Sequence, residues 1–265
     1  MTDSRAGWYP DNQQPGLLRW WDGVRWTERT TPMAVEVRRP PLGKDWFRLA
    51  TGTQVMLGLC VITWVGVIAA DRFIASVGRQ FADAPRQVDL SDAERSDTLI
   101  LVSTFGPLDM LLLTGMLFIT WLYQAHRSDR VEPAYLERSS GWAIGGWFVP
   151  VLNLWRPYQM VTDIRRGVRG PLSLGTGTQV VWWVLWVASS ISDRVTARMW
   201  PDDPDLGPRE YGEKLASAAD AEVMSSVLVI ASAVLAILVV RQITKLVAAS
   251  EHGVRADAQT SLRPS

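Results

Sequence analysis

The stretch from Leu49 to Ala70 reads LATGTQVMLGLCVITWVGVIAA and contains no Asp, Glu, Lys, Arg or His. A helix of this length crosses a hydrocarbon core of about 30 Å. Three further stretches have the same character: Leu99–Tyr123, whose one charged residue is Asp109, then Thr176–Ser192 and Val223–Val240. We therefore predict an all-α membrane protein with four transmembrane helices, at about residues 49–70, 99–123, 176–197 and 223–245.

The composition of the chain excludes several classes of protein and binding site. It has 265 residues, with 27 basic and 27 acidic side chains, so it lacks the positive charge that binds nucleic acid. Its single cysteine, Cys60, excludes an intrachain disulfide and a zinc site built on several cysteines. The polar N-terminus has no apolar segment typical of a cleaved signal peptide, so the first span is expected to target the chain to the membrane.

Charges outside the spans indicate the orientation. An acidic stretch, Asp71–Asp97, follows the first span, and a second, Asp193–Glu222, follows the third; we interpret both as loops. Compact basic groups flank the opposite ends of the spans, and by the positive-inside rule those ends are cytoplasmic. Both termini are then cytoplasmic in a multi-pass protein of the cell membrane. The basic groups comprise Arg38, Arg39, Lys44, Arg48, Arg127, Arg130, Arg165, Arg166, Arg169, Arg241 and Lys245.

The segment Gly141–Trp155, GWAIGGWFVPVLNLW, is uncharged but too short to cross a bilayer comfortably, and Pro150 interrupts it. We interpret residues 141–164 as a re-entrant or interfacial segment that enters and leaves on the cytoplasmic side. A full crossing would place Arg165, Arg166 and Arg169 outside.

The N-terminal residues 5–31 form a second unit with four tryptophans. Asp22-Gly23 favours a two-residue type I′ turn, which would place Trp21 opposite Val24, Trp20 opposite Arg25 and Arg19 opposite Trp26. Trp8, Tyr9 and Pro10 are candidates for a third strand. We expect a small β-hairpin module, followed by an extended Pro/Arg linker over residues 32–48. Residues 248–265 are expected to form a disordered cytoplasmic tail.

Two parts of the chain resemble known families. GGWFVPVLNLWRPYQMVTDIRR, with WLYQAHRSDR and VVWWVLWVASSIS, resembles a bacterial membrane family, domain of unknown function 4328, over about residues 50–247. GWYPDNQQPGLLRWWDGVRWTERT resembles a short module, domain of unknown function 2510, at about residues 5–31. Neither resemblance implies an activity. The positions that carry it are Trp121, Tyr123, Ala125, Trp147, Phe148, Pro150, Asn153, Trp155, Arg156, Pro157, Tyr158 and Gln159, and in the module Trp8, Tyr9, Pro10, Trp20, Trp21, Asp22, Gly23 and Trp26.

Asp109 is the one ionisable residue inside the second span, two residues after Pro107. A charge at such a depth costs about 2.5–3.5 kcal/mol on insertion scales. One interpretation is a proton or cation site beside a backbone opened by Pro107. The other is a structural carboxyl hydrogen-bonded to Thr or Ser on a neighbouring helix.

Arg156 and Asn153 also have two interpretations. Arg156 could bind lipid phosphate or cap the carbonyls of a broken helix, and Asn153 could also cap them; alternatively, both residues anchor the segment at the interface. The tryptophans of the module either bind a ligand or pack against each other. The candidate positions are Pro107, Asp109, Trp147, Pro150, Asn153, Trp155, Arg156 and Pro157, with Trp8, Trp20, Trp21, Asp22, Gly23 and Trp26 in the module.

No phosphate-binding loop, metal-ligand spacing or nucleophile elbow occurs in the sequence, and we expect no enzyme activity, catalytic residue, metal or cofactor. Three functions remain. The first is a non-enzymatic scaffold or regulator whose cytoplasmic module binds a protein. The alternatives are a small transporter or channel that uses Asp109 and the re-entrant segment, and a lipid-acting enzyme with Arg156.

A partial repeat suggests a duplication. Thr51–Val55 and Thr176–Val180 both read TGTQV, and each opens a predicted span. A duplication would relate the two helical hairpins by a two-fold axis along the membrane normal and place the first and third spans in equivalent positions, with Gln54 and Gln179 at the same depth. The alternative is a chance match between two apolar helices.

Overall fold

The structure is a computed structural model that describes residues 5–32, 42–203 and 205–250. The chain divides into two compact units, an N-terminal module and a helical domain that begins at Leu42. The expected linker falls largely on residues 33–41, and the expected tail largely on residues 251–265; both predictions lie mostly outside the described residues.

Three antiparallel strands build the module, in the order β1-β2-β3. They are β1 (Gly7–Pro10), β2 (Leu17–Trp21) and β3 (Trp26–Pro32). The predicted third strand is therefore confirmed, because Trp8 pairs with Trp20 and Tyr9 with Arg19.

The predicted register of the β2–β3 hairpin is wrong. Trp21 pairs with Trp26, and Arg19 pairs with Thr30 across an irregularity in the ladder. A type I′ turn needs positive φ at both central residues, but among the described residues only glycines have positive φ, and Asp22 does not. Asp22 instead begins a four-residue connection in which its N–H donates to the carbonyl of Arg25 at 3.2 Å.

The described residues of the second unit contain six α-helices. They are α1 (Lys44–Asp83), α2 (Leu90–His126), α3 (Trp142–Phe148), α4 (Arg156–Arg169), α5 (Gly177–Thr196) and α6 (Pro208–Ala249). Among the described residues, α1, α2 and α6 are long and apolar enough to cross a membrane, which indicates a multi-pass membrane protein. The 20-residue α5 is not among them, because Gln179, Asp193 and Arg194 lower its mean hydropathy.

The acidic stretches are mostly helical, which corrects their interpretation as loops. Helix α1 continues to Asp83, α2 begins at Leu90, and α6 begins at Pro208. Asp89 caps α2 by accepting from the N–H of Ser91 at 2.9 Å. Asp71 is fully buried within α1 rather than exposed in a loop.

Helices α1 and α6 run antiparallel and form the most extensive contact in the domain. Arg241 donates to the side-chain oxygen of Gln54 at 2.9 Å, and far from it along α1, Gly78 packs against Gly212. Two hydrophobic clusters lie along the bundle. The larger includes Trp121, Met160, Trp182 and Ile243, and the smaller contains Ile74, Ala75, Leu215 and Ala219.

Candidate functional site

Aromatic side chains lie on both faces of the module, and one on each face is exposed. On one face Trp8 meets Trp20 edge to face, with ring centroids 5.3 Å apart. On the other face Trp26 contacts Tyr9 at 5.9 Å and Trp21 at 5.2 Å. The pleat of the sheet explains this division, since successive side chains of a strand point to opposite faces. Trp8 and Trp26 remain 42% and 48% exposed, so a large part of each indole is free to contact another molecule.

An open cavity of about 200 Å³ lies beside Trp26. Asp11 lines the polar side of this cavity. Its carboxylate accepts hydrogen bonds from the Arg19 guanidinium at 2.8 Å and from the N–H of Gln13 at 2.8 Å. The N–H of Gln13 and the Arg19 guanidinium together lower the pKa of Asp11, so this carboxylate is ionised at neutral pH. The cavity is lined by Pro10, Asp11, Asn12, Gln13, Arg19 and Trp26.

Asp22 and Gly23 shape the β2–β3 turn. The Asp22 carboxylate accepts from the N–H groups of Val24 at 2.8 Å and Arg25 at 2.7 Å, which lowers its pKa. Gly23 has a φ of 97°, a conformation that glycine adopts without strain. The turn therefore depends on both residues, although not in the predicted geometry.

Trp147 belongs to an aromatic cluster between α3, α2 and α5. Its ring contacts Phe118 at 5.8 Å, Trp183 at 6.2 Å and Trp186 at 5.4 Å. Trp183 also donates to the carbonyl of Leu154 at 2.9 Å. The segment 141–155 is thus fixed against α5 and α2 by indole packing.

Arg156 is held by its neighbours. Its guanidinium lies 4.8 Å from the Trp142 ring centroid and donates to Gln159 at 3.2 Å. Pro157 is buried in the first turn of α4, while Pro150 and Trp155 are exposed. The side-chain oxygen of Asn153 is buried without a hydrogen bond from any described residue. These contacts describe Arg156 as an anchor that joins α3 to α4.

Asp109 does not lie inside the bundle. Pro107 is buried against the other helices, whereas Asp109 is exposed on the outer face of α2. No described residue forms a hydrogen bond or ion pair with its carboxyl. The structural interpretation, a bond to Thr or Ser on a neighbouring helix of the same chain, is therefore not seen in the described contacts.

One polar cluster in the helical domain was not predicted from the sequence. Arg165, which is 3% exposed, donates to Gln179 at 2.9 Å and to Gln242 at 3.1 Å. Gln179 in turn donates to Thr162 at 2.9 Å. The cluster joins α4, α5 and α6, and no described carboxylate pairs with Arg165. Its signal in the sequence was the presence of Gln179 and Gln242 within or beside apolar segments.

A second polar contact holds α4. The Asp163 carboxylate is fully buried and accepts from Arg138 at 2.9 Å, and Arg166 pairs with Glu137. No group of three or more acidic, His or Cys side chains among the described residues is placed to hold a metal ion.

Comparison with known proteins gives two family matches. Residues 6–38 match "Protein of unknown function (DUF2510)", as the module resemblance implied. No curated protein and no solved structure matches the chain. Residues 84–245 match "Domain of unknown function (DUF4328)", a range that begins after α1 rather than at about residue 50. Because this match covers more than half of the 265 residues, the chain belongs to the DUF4328 family.

Proposed function

We propose that this chain is a non-enzymatic membrane scaffold or regulator whose N-terminal module binds a protein partner. The observation that carries the proposal is the exposure of Trp8 and Trp26 on opposite faces of the three-stranded sheet. Trp8 is 42% and Trp26 48% exposed, and exposed Trp and Tyr are among the residues that contribute most to protein interfaces.

The Trp26 face suits an extended peptide. Flat aromatic rings beside a cleft bind extended segments that present apolar or proline side chains at regular spacing. The Asp11–Arg19 pair borders the same cleft and offers both a carboxylate and a guanidinium for polar backbone groups of such a segment. Val24, 84% exposed in the turn, has none of the described ring contacts and provides a matched control surface.

Four spans with cytoplasmic termini complete the proposal. Helix α5 has 20 residues and is about 30 Å long, which suffices for a fourth crossing. Its tryptophans pack on the segment 141–155, and Trp at headgroup depth is favourable. The basic flanks of the helical unit then lie on the cytoplasmic side. The lipid bilayer is the partner of the helical unit.

The alternative functions have less support. An ion pathway through Asp109 would need its carboxyl to face the space between the helices, and the carboxyl faces outward instead. A lipid-acting enzyme would need Arg156 to be free for substrate, and its guanidinium already contacts Trp142 and Gln159.

Pull-down of the tagged full-length chain from native membranes tests the proposal. Trp26→Ala and Trp8→Ala should each reduce the amount of a specific co-purifying protein, because they remove the exposed rings. Val24→Ala should leave it unchanged. Hydrogen exchange of residues 7–32 would verify that each variant module stays folded. Partner recovery unaffected by both Trp substitutions and by deletion of residues 1–35 would refute the proposal.

A further inference from the structure

Three carboxyl groups from three helices lie at one level of the bundle, where the apolar stretches of α1 and α6 end. They belong to Asp71 of α1, Glu222 of α6 and Asp193 of α5. Arg72, the neighbour of Asp71, pairs with Asp220 of α6 at 3.5 Å, so the antiparallel packing of these helices brings Asp71 to the level of Glu222. The Asp193 carboxylate is hydrogen-bonded to a serine of α6 and lies near enough to Glu222 to act on it electrostatically. This acidic cluster therefore joins α1, α5 and α6.

Asp71 is the fully buried member of the acidic cluster. Neither of its carboxyl oxygens receives a hydrogen bond from any described residue. Among the ion pairs of the described part of the chain, none includes Asp71, Asp193 or Glu222. An ionised carboxylate that has lost its water and gained no partner is strongly unfavourable. The Asp71 carboxyl is therefore either neutral or bound to a cation.

The guanidinium groups of the neighbouring helices bind other partners. Arg72 and Arg79 of α1 both pair with the exposed Asp220 of α6, at 3.5 and 3.0 Å. Arg194 of α5 is exposed and donates to a carbonyl of its own helix at 3.0 Å. Arg95 of α2 lies 4.9 Å from the centroid of an aromatic ring of α1. These charged groups of α1, α2, α5 and α6 thus leave the buried carboxyl without a counter-charge.

A proton is the cation that suits this cluster. Burial and the negative charge of Glu222 raise the pKa of Asp71 to about 7. Burial, with the charge of Asp193, also raises the pKa of Glu222. Asp71 and Glu222 both lie outside the predicted spans 49–70 and 223–245. A metal ion suits the cluster less well, because no group of three or more acidic, His or Cys side chains among the described residues is placed to hold one.

We propose that Asp71 and Glu222 form a proton-binding site that links α1 to α6, and that release of the shared proton loosens this end of the bundle. The protonated carboxyl donates and the ionised one accepts, so one proton replaces a repulsion by a hydrogen bond. The unfolded chain releases this proton near a pH of about 3.9, whereas the folded chain retains it to about pH 7. The stability of the helical domain should therefore fall as pH rises between these two values. This inference is independent of the module's function.

Infrared difference spectroscopy of the full-length chain in detergent tests the shared proton. Between about pH 5 and about pH 8 the protein should lose the C=O stretching band of a protonated carboxyl. Asp71→Asn should lack this change, whereas Glu94→Gln, which removes an exposed carboxyl of α2, should keep it. In Glu222→Gln the midpoint should move to lower pH, because Asp71 loses its like-charged neighbour. An unaltered band in Asp71→Asn, or an unaltered midpoint in Glu222→Gln, would overturn the proposal.

Hydrogen exchange of the same samples measures the effect of the proton on helix packing. After correction for its intrinsic pH dependence, exchange of residues 71–83 and 208–222 should be faster at about pH 8 than at about pH 5. Residues 230–243, at the other end of α6, should show no such difference. Asp71→Asn should stay protected at both pH values, because its amide donates as the protonated carboxyl does. Equal protection of residues 71–83 at both pH values in the unchanged protein would refute the loosening.

Discussion

Gly78 of α1 and Gly212 of α6 face each other so closely that neither position has room for a Cβ. A Cβ on Gly78 would lie 2.9 Å from the Gly212 carbonyl oxygen and 2.8 Å from the backbone nitrogen of Ala216. The neighbours are backbone atoms, which cannot rotate away. This crossing therefore sets the distance between α1 and α6 beyond the apolar part of both helices.

Gly78→Ala should destabilise the helical domain by about 1–3 kcal/mol, the usual cost of overpacking. Gly66→Ala in the same helix is the control, because a Cβ at Gly66 meets nothing within 4 Å and alanine favours helix. Thermal unfolding in detergent, followed by loss of the monodisperse peak, measures the difference. Equal melting temperatures for the two variants would mean that the crossing is looser than described.

Gly23→Val should unfold the β2–β3 hairpin, because valine at positive φ costs roughly 1–2 kcal/mol in a module with very little core. Hydrogen exchange of residues 17–32 in the full-length chain should become fast. Glu28→Val, an exposed change on β3 to a residue that favours strands, should leave exchange slow. Unaltered protection in Gly23→Val would count against the positive-φ turn.

The sequence predicted the strands and the apolar helices because both depend on short-range patterns. The predicted hairpin register was wrong because the Asp22 carboxylate accepts hydrogen bonds from two backbone N–H groups. These bonds stabilise a four-residue connection in place of the two-residue turn that Asp-Gly alone suggests. The predicted helix lengths were also wrong. Acidic residues end a membrane span but do not end a helix, so α1 and α6 continue beyond the apolar stretch.

The polar cluster and the repeat show why tertiary relationships were harder to predict. Arg165 meets Gln179 and Gln242, which lie 14 and 77 residues away in the sequence. The TGTQV repeat suggested equivalent places for Gln54 and Gln179. Gln179 is fully buried in that cluster, whereas Gln54 is half-buried and bonded to Arg241. A two-fold relation would also require α5 to contact α2 as α1 contacts α6, and described α2–α5 contacts are few.

Arg165→Met should destabilise the helical domain by about 1–3 kcal/mol, because the buried Gln179 and the half-buried Gln242 lose a charged donor. Arg169→Met is the matched control. It changes the same residue type one turn later in α4, where the side chain is exposed. Thermal unfolding of both variants in one detergent gives the comparison. Similar stability of Arg165→Met and the unchanged protein would show that the cluster contributes little.

Stability of the module should fall in acid. Backbone N–H groups lower the pKa values of Asp11 and Asp22 in the folded module. The guanidinium of Arg19 lowers the pKa of Asp11 further, and that of Arg25 lowers the pKa of Asp22 further. An acid with a lowered folded pKa contributes its stability above the unfolded value of about 3.9, and loses it as pH falls through the folded pKa. Hydrogen exchange of residues 7–32, corrected for its intrinsic pH dependence, should accelerate below about pH 4. The double substitution Asp11→Asn and Asp22→Asn should remove this dependence, and its persistence would assign the effect to other groups.

Membrane topology can be measured at four exposed positions in a Cys60→Ser background. The predicted topology places both termini, Val131 and Arg166 on the cytoplasmic side. The nearby variants Tyr135→Cys and Arg169→Cys should therefore not react with a membrane-impermeant maleimide in intact cells. These two neighbours replace Val131 and Arg166, whose side chains are buried or paired. Asp89→Cys and Asp205→Cys, which are exposed between helices, should react from outside.

Labelling of Arg169→Cys, the position in α4, shows whether the segment 141–164 crosses the membrane or returns to the side it entered. If the segment enters and leaves on one side, Tyr135 and Arg169 share the cytoplasm, and α5 must cross to bring Asp205 outside. Labelling of Arg169→Cys from outside, with Tyr135→Cys protected, would make the segment a full crossing. Permeabilised cells, in which all four cysteines should react, provide the control for accessibility. If Asp205→Cys and Arg169→Cys are both protected in intact cells, α5 does not cross the membrane. Three crossings, by α1, α2 and α6, would then remain.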